Sequence, residues 1–231
     1  MPGRRGLLAS AALLCVTEPA RAAEIDLLLA LAVDASGSVS ESRFILQRQG
    51  YADAFRAPRL HQAVRSGPAG AIAVTMFQWT GPQLHAEVAP WTRLATPADA
   101  LAFAHTIETT PRALFGGGTS ISGAIDHARR LIARAPLQAP RRVIDVSGDG
   151  ANNRGREATD ARDDAIAAGI TINGLPILAL EPELDLHYRD EVIGGPGAFM
   201  IPVAAFEAFG EAVLRKLVTE IASKGKKVVL L

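Results

Sequence analysis

The sequence predicts a doubly wound α/β domain, with a mostly parallel central sheet, one antiparallel edge strand and helices on both faces. Short apolar runs of strand length recur along the chain, and stretches with helical spacing of apolar residues separate them. Strands that alternate with helices form parallel sheets covered on both faces, which is why such strands are apolar throughout. The 231 residues, 48% of them hydrophobic, are enough to build one large core.

The first strand is predicted from the near-continuous apolar run at residues 25–33, which ends at Asp34. Helical spacing of aromatic residues predicts a helix at residues 39–55. The next apolar run, residues 71–79, predicts the second strand. These three elements form the first β-α-β unit of the predicted sheet.

A turn and an edge strand are predicted next. Gly81 and Pro82 favour a turn, and the alternating residues 84–88 then predict a strand that returns antiparallel to its predecessor. Two helical patterns follow, at residues 97–109 and 120–134. The second has its apolar residues on one face, as expected for a helix packed on a sheet.

The second half of the chain continues the alternation. Residues 142–147 predict a strand, residues 157–168 a helix, and residues 170–178 and 198–203 two more strands. A stripe of apolar residues at helical spacing predicts a closing helix at residues 206–221. No internal repeat, low-complexity tract or linker divides the sequence, so one domain is expected.

The N-terminal segment has the three parts of a secretory signal peptide. Arg4 and Arg5 form a basic head, and the apolar run at residues 6–16 is too short to span a bilayer. Ala20 and Ala22 have the spacing of small residues at a cleavage site. The sequence therefore predicts cleavage near Ala22 and a secreted or periplasmic product.

The predicted mature domain, residues 23–231, carries little charge. Loss of residues 1–22 changes the formal net charge from zero to −2, so nothing indicates a nucleic-acid or anionic-membrane partner. No later segment is apolar enough to span a membrane. The single cysteine, Cys15, would be removed with the signal peptide; a lipoprotein that keeps it is the alternative, which the bulky Leu14 disfavours.

Three polar loops follow predicted strands or precede a helix. In Asp34-Ala-Ser-Gly-Ser38, alternate residues of an extended chain point the same way, so Asp34, Ser36 and Ser38 converge. Thr119 ends a run of three glycines before the helix at residues 120–134, and Asp149 follows the strand at residues 142–147. Ligands of doubly wound sheets bind at the carboxyl ends of the strands, where these loops are expected to meet.

Carboxylate and hydroxyl oxygens are the ligands of hard divalent cations. Mg²⁺ is the expected ion, with Mn²⁺ or Ca²⁺ as alternatives. The predicted metal-site residues are Asp34, Ser36, Ser38, Thr119 and Asp149.

This pattern, in this order and strand context, resembles the metal-ion-dependent adhesion site (MIDAS) of von Willebrand factor type A domains. The resemblance extends from about residue 25 to residue 221 and is closest to secreted bacterial members without a known function. It implies that Ser36 and Ser38 bind the ion directly and that Thr119 binds it directly or through water. Asp34 and Asp149 would act largely through bound waters. The position left on the metal would receive an acidic group of a protein partner.

The sequence also departs from the family pattern, because Asp145 lies inside the strand that precedes Asp149. A buried carboxylate needs a partner, so Asp145 is expected to be structural and paired, with a sixth place in the metal site as the alternative. Ser147 and Gly148 are expected to end the strand early. The placement of Asp149 is therefore less fixed by the pattern than that of Asp34.

Each motif alone has a simpler interpretation. Ser38 and Glu41 have the spacing of a helix capping box, and Thr119 could cap the helix that follows it. Asp149-Gly150 alone indicates only a turn. The joint occurrence of all three motifs in the family's order favours the metal site.

The other residues suited to chemistry give weaker signals. The five histidines, at positions 61, 85, 105, 127 and 187, lack the spacing of zinc ligands. Trp79 and Trp91 flank the predicted hairpin and are expected to be packing residues.

Three functional classes fit the sequence. The favoured one is a metal-dependent protein-binding module that is not an enzyme. A metal-dependent hydrolase of the phosphatase type is the alternative, because an apolar strand ending in an aspartate also begins haloacid-dehalogenase-type phosphatases. Their motif, however, has a second aspartate where this chain has Ser36. The third class, a structural subunit without metal, is disfavoured by the complete set of ligand residues.

Overall fold

A computed structural model describes residues 24–223 of the chain. The predicted signal peptide, residues 1–22, and Cys15 lie outside the described residues, as does the C-terminal part of the predicted domain. None of the described helices has the length and hydropathy needed to cross a bilayer.

Five strands form one sheet in the order β3-β2-β1-β4-β5. All neighbours are parallel except β3, which pairs antiparallel with β2 at one edge. This confirms the predicted fold class. The strands are β1 (Leu27–Asp34), β2 (Ile72–Trp79), β3 (His85–Leu94), β4 (Arg141–Gly148) and β5 (Thr171–Pro176).

Helices cover both faces of the sheet. They are α1 (Glu41–Arg56), α2 (Pro58–Arg65), α3 (Pro97–Thr109), α4 (Ile121–Ala133), α5 (Ala158–Ala167), α6 (Leu184–His187) and α7 (Phe209–Ala222). A π-helical turn, Tyr188–Val192, continues α6, and a 3₁₀ turn, Phe206–Ala208, leads into α7.

The core has two halves because alternate residues of each strand point to opposite faces. Leu29 and Leu31 of β1 pack into the half that contains α1, α3 and α7. Leu28 and Ala30 pack into the other half, against α4 and α5. All eight residues of β1 are buried, as expected for a central parallel strand.

Some predicted elements differ from the structure. The predicted strand at residues 198–203 is wrong: Met200 makes only an isolated bridge to Gly174 of β5, and Val203 makes one to Ile177, just after β5. Pro202 interrupts this segment and has no N–H to donate, so a regular ladder cannot form. The segment instead covers the outer edge of β5. The short helices α2 and α6 were not predicted, because neither shows an extended apolar period.

Two strands are longer than predicted. β4 continues through Gly148, so the expected early end of this strand is wrong; Ser147 and Gly148 pair with β5 in regular register. β3 continues to Leu94 and includes Trp91, whose indole N–H donates to Leu131 O at 3.2 Å. Trp79, at the end of β2, is fully buried. Both tryptophans are therefore packing residues, as predicted.

A cluster of buried charges lies between β4, β5 and α7. Lys216 Nζ lies 2.6 Å from Asp145 Oδ1 and 2.5 Å from Glu220 Oε1, and all three side chains are shielded from solvent. Asn173 Nδ2 donates to Glu220 Oε1 at 2.9 Å. Asp145 is thus the paired structural carboxylate that the sequence predicts, and its cation comes from α7.

Strand order reverses between β1 and β4, the neighbours at the centre of the sheet. The chain that leaves β1 enters α1, whereas the chain that leaves β4 forms a polar loop before α5. The crevice at the carboxyl ends of these two strands is where doubly wound folds bind ligands. The predicted site residues of both loops lie there.

Candidate metal centre

Asp34, the last residue of β1, is completely buried. Its Oδ1 accepts a hydrogen bond of 2.7 Å from the backbone N–H of Ser36. Gln47, from α1, donates to the backbone carbonyl of Asp34 at 3.3 Å. These contacts fix both the carboxylate and the bend that turns the chain away from the sheet.

A chain of hydrogen bonds joins the first loop to the third. Ser36 Oγ and Ser38 Oγ are 3.0 Å apart, and Ser38 Oγ donates to Asp149 Oδ1 at 2.5 Å. The backbone N–H of Asp149 points to Asp34 Oδ2 at 3.4 Å. Four of the five predicted ligand residues therefore form one connected group.

Gly148 allows Asp34 and Asp149 to approach each other. A Cβ at Gly148 would lie 3.0 Å from Asp34 Oδ2, 3.0 Å from Tyr188 Oη and 3.2 Å from the Trp79 ring. A side chain would therefore displace the buried groups around Asp34. This close packing explains the glycine that precedes Asp149.

Thr119 adjoins the group across Gly150. Its Oγ1 lies 3.5 Å from the position that a Cβ of Gly150 would occupy, and the residue is 6% exposed. Its backbone N–H donates to Asn153 Oδ1 at 2.9 Å, and its carbonyl accepts from Asn153 N at 2.9 Å. Asn153 thus fixes Thr119 against the loop that carries Asp149.

Thr80 shapes the glycine loop before Thr119. Its hydroxyl lies 2.6 Å from Gly116 O and 3.0 Å from Gly118 O. Gly117 has a φ of 102°, which an L side chain rarely adopts. Gly117 is therefore needed for the path of the loop.

The capping interpretations of Ser38 and Thr119 are wrong. Ser40 is the N-cap of α1 and accepts from Arg43 N. Ser120 is the N-cap of α4 and accepts from Gly123 N. Ser38 and Thr119 each lie before the actual cap, so capping does not account for their hydroxyls.

Both carboxylates carry an electrostatic cost in the absence of a cation. Burial, with a contribution from the nearby Asp149, raises the pKa of Asp34 to about 7. Burial likewise raises the pKa of Asp149, against the lowering effects of the Ser38 hydrogen bond and of Arg43. Among the described residues, Asp149 Oδ2 has no hydrogen-bond partner although it is buried.

These features fit a divalent cation. The group offers hard oxygen donors, two carboxylates that burial makes costly to ionise, and a buried carboxylate oxygen without a hydrogen bond. Within residues 24–223, no three His, Cys, Asp or Glu residues come together as a metal site. A cation here would therefore depend on hydroxyl ligands in addition to the two carboxylates.

Sequence reasoning missed the residues that shape the site from other elements. Arg43 Nη1 lies 3.8 Å from Asp149 Oδ2, and Tyr188 brings a buried hydroxyl beside Gly148. Glu181 Oε2 accepts from Ala151 N at 3.0 Å and so holds the loop after Asp149. None of these residues belongs to a motif, and only their place in the fold reveals them.

Two histidines meet that are far apart in sequence. The rings of His85 and His127 stack at 4.2 Å, next to Phe77. Burial lowers the pKa of His85 to about 4, with a smaller contribution from His127. The pair joins β3 to α4, and His85 lies in register with Trp79, which is the neighbour of Asp34 across the sheet.

The chain has the fold of von Willebrand factor type A domains. A von Willebrand factor type A protein of Catenulispora acidiphila has a TM-score of 0.60 and 15% identity, over 86% of this chain and 43% of that one. Proximal thread matrix protein 1 of the mussel byssus, solved with a zinc-occupied MIDAS motif, has a TM-score of 0.60 and 15% identity, over 86% and 46%. The chain therefore spans less than half of either protein.

A third solved structure is matched by this chain over almost its whole length. The conserved hypothetical protein BatB of Bacteroides thetaiotaomicron has a TM-score of 0.55 and 19% identity, over 85% of this chain and 98% of that one. No curated protein matches the chain in sequence. The chain belongs to the family described as "Protein of unknown function (DUF1194)", whose model matches residues 24–225.

Proposed function

We propose that the chain is an exported protein-binding module whose bound divalent cation receives an acidic group of a partner. The observation that carries this proposal is the hydrogen-bonded group of Asp34, Ser36, Ser38 and Asp149 at the switch point of the sheet. It contains two buried carboxylates, one with an oxygen that has no hydrogen bond among the described residues. A cation would offset the cost of burying both.

Ser36, Ser38 and Thr119 would supply hydroxyl ligands, and Asp34 and Asp149 would supply the negative charge. Mg²⁺ is the expected ion, with Mn²⁺ or Ca²⁺ as alternatives, since all the donors are oxygens. The similar fold of the mussel protein with zinc in its MIDAS motif supports a divalent cation at this position. When bound, the ion supplies positive charge that a partner's carboxylate can neutralise.

The rim of the site supports a protein partner. Phe115, one residue before the glycine loop, is 71% exposed. The Arg112 guanidinium lies between the rings of Phe44, at 5.2 Å, and Phe115, at 5.3 Å. Arg112 also donates to Ala35 O at 3.1 Å, which fixes it beside the first loop. An exposed aromatic ring that packs on an arginine bound to the first loop is suited to an interface.

Direct metal titration tests this proposal. Calorimetry on the purified domain should show one Mg²⁺ per chain for the wild type and none for Asp34→Ala or Asp149→Ala. Asp53→Ala, which removes an exposed carboxylate from α1, is the matched control and should bind as the wild type does. Absence of binding to the wild type, or equal binding to all four proteins, would refute the metal site.

The same proposal holds that the domain binds rather than catalyses. Generic phosphate-ester and carboxyl-ester substrates should be turned over only at background rates, with or without Mg²⁺. A metal-dependent rate that disappears in Asp34→Ala would favour the phosphatase alternative instead.

Export rests on the signal-peptide pattern of residues 1–22. Mass spectrometry of protein recovered from a bacterial host should show a chain that begins near Ala23. Abundant cytosolic protein that retains Met1 would contradict the expected location.

A further inference from the structure

Arg43 places a positive charge beside the candidate metal centre. This residue lies in the first turn of α1, and its Nη1 is 3.8 Å from Asp149 Oδ2. The Asp149 side chain is completely shielded from solvent, whereas 29% of the Arg43 side chain is exposed. The guanidinium therefore borders the site on its solvent side.

Two further contacts fix this guanidinium. Nη1 donates to the backbone carbonyl of Ser38 at 3.0 Å. The guanidinium carbon also lies 5.1 Å from the centre of the Phe206 ring, within the range of a cation-π contact. Arg43 is thus held by the ligand loop itself and by the segment that leads into α7.

The geometry gives Arg43 a role that conflicts with metal binding. A carboxylate oxygen that is buried without a hydrogen bond is stabilised by a nearby cation, and here Arg43 is the cation that approaches it. A divalent ion held by Ser36, Ser38 and Asp149 would add a second positive charge close to the first. Charges of the same sign a few Å apart repel each other, so Arg43 would lower the affinity of the site for a divalent cation.

We propose that Arg43 is a built-in counter-ion of the metal-free site, which stabilises Asp149 when metal is absent and weakens the binding of divalent cations. This inference rests on the proposed metal-binding function. Arg43, which lies outside the ligand motif, would then help to set the affinity of the site for metal. A site tuned in this way releases its ion more readily than the ligand set alone would.

The test compares three variants by calorimetric titration with Mg²⁺ at low ionic strength. Arg43→Gln keeps a donor near Ser38 but removes the charge, and Arg43→Lys keeps the charge. Arg48→Gln is the matched control: Arg48 lies on the same helix, also against an aromatic ring, at 5.9 Å from Phe44, and no ion pair joins it to a described residue of the site. Its loss changes the net charge by the same amount.

Arg43→Gln should bind Mg²⁺ roughly tenfold more tightly than the wild type, the order expected for one unit charge a few Å away in a partly solvated site. Arg43→Lys and Arg48→Gln should stay within about twofold of the wild type. Without metal, Arg43→Gln should also melt at a lower temperature than Arg48→Gln. Raising the salt concentration should shrink the difference in affinity, because salt screens the repulsion.

Two outcomes separate this inference from the proposed function. If the wild type binds Mg²⁺ and Arg43→Gln binds it equally or more weakly, Arg43 is not a counter-ion, while the metal site stands. If none of the four proteins binds Mg²⁺, both the metal site and the role of Arg43 are refuted.

Discussion

Two pairs of buried carboxylates in this domain differ in how closely a cation of the chain approaches them. Asp145, in the middle of β4, is paired with Glu220, and Lys216 lies between them at 2.6 and 2.5 Å. Asp149, just beyond the end of the same strand, is paired with Asp34. Its cation among the described residues, Arg43, is 3.8 Å away and partly exposed.

The difference separates a structural cluster from a binding site. In the cluster of Asp145, Lys216 and Glu220, which we call the inner cluster, the cation is part of the chain and lies within 2.6 Å of both carboxylates. At the end of the sheet, hydroxyls surround the carboxylates, and the nearest described cation, Arg43, is 3.8 Å from Asp149 and partly exposed, so it offsets their charge less completely. A buried charge without a close partner is costly, so the second pair is suited to an external cation and the first is not.

The largest expected effect comes from a substitution that removes the cation of the inner cluster. Lys216→Met should lower the free energy of unfolding by about 3–5 kcal/mol, because it leaves two buried carboxylates without their cation. Denaturant unfolding measures this, with Arg215→Met, an exposed neighbour on α7, as the control. Equal stability of the two variants would show that the cluster is not the structural unit described above.

The pH dependence of stability tests the pair formed by Asp34 and Asp149. In the unfolded chain Asp34 ionises near pH 4, whereas in the metal-free folded domain it ionises near pH 7. Between these values the unfolded state holds fewer protons, so the stability of the folded state falls as pH rises. The loss from this group is up to about 4 kcal/mol, at about 1.4 kcal/mol per pKa unit.

Glu220 contributes a slope of the same sign, because burial raises its pKa as well. Unfolding free energies measured from about pH 4 to about pH 7 should therefore fall in the wild type and fall less in Asp34→Asn. Saturating Mg²⁺ should remove the part due to Asp34 and the part due to Asp149, whose pKa burial also raises, and leave the part due to Glu220. A profile unchanged by Asp34→Asn would mean that Asp34 ionises normally.

Stabilisation of the folded domain by Mg²⁺ should depend on Asp149 and not on Asp145. At one hundred times the dissociation constant, a ligand that binds only the folded state adds about 2.7 kcal/mol. Asp149→Asn should lose this gain, whereas Asp145→Asn, though less stable, should keep it. Thermal melts with Mg²⁺ and with chelator measure the gain. Its loss in both variants would indicate that the inner cluster also belongs to the metal site.

The smallest expected effect distinguishes the roles of Ser38 and Ser40, which lie in the same loop. Ser40→Ala removes the cap of α1 and should cost about 1 kcal/mol with or without Mg²⁺. Ser38→Ala should instead reduce the magnesium gain, because its hydroxyl contacts Asp149. The difference between melts with and without metal decides between the two roles. A Ser38→Ala variant with the full gain would exclude Ser38 as a ligand.

Sequence alone predicted the sheet because its strands are apolar runs of the right length, and parallel strands buried on both faces require such runs. It placed the boundaries of α3 at Pro97 and Thr109, where a proline and a capping threonine mark the start locally. It failed at residues 198–203, where apolar composition indicated a strand but Pro202 and the path along β5 allow only isolated bridges. Local patterns predict elements whose contacts are themselves local or repetitive.

The candidate site divides in the same way. Asp34, Ser36, Ser38, Thr119 and Asp149 were predicted from the sequence, because alternation along an extended loop and the rule for carboxyl ends of strands are properties of the chain. The tertiary structure alone showed that Ser40 and Ser120 are the helix caps, that Lys216 neutralises Asp145, and that Arg43 borders Asp149. Each of the last two contacts joins residues more than 70 positions apart in the sequence. Which buried charge is matched internally depends on such long-range packing, and no local pattern contains that information.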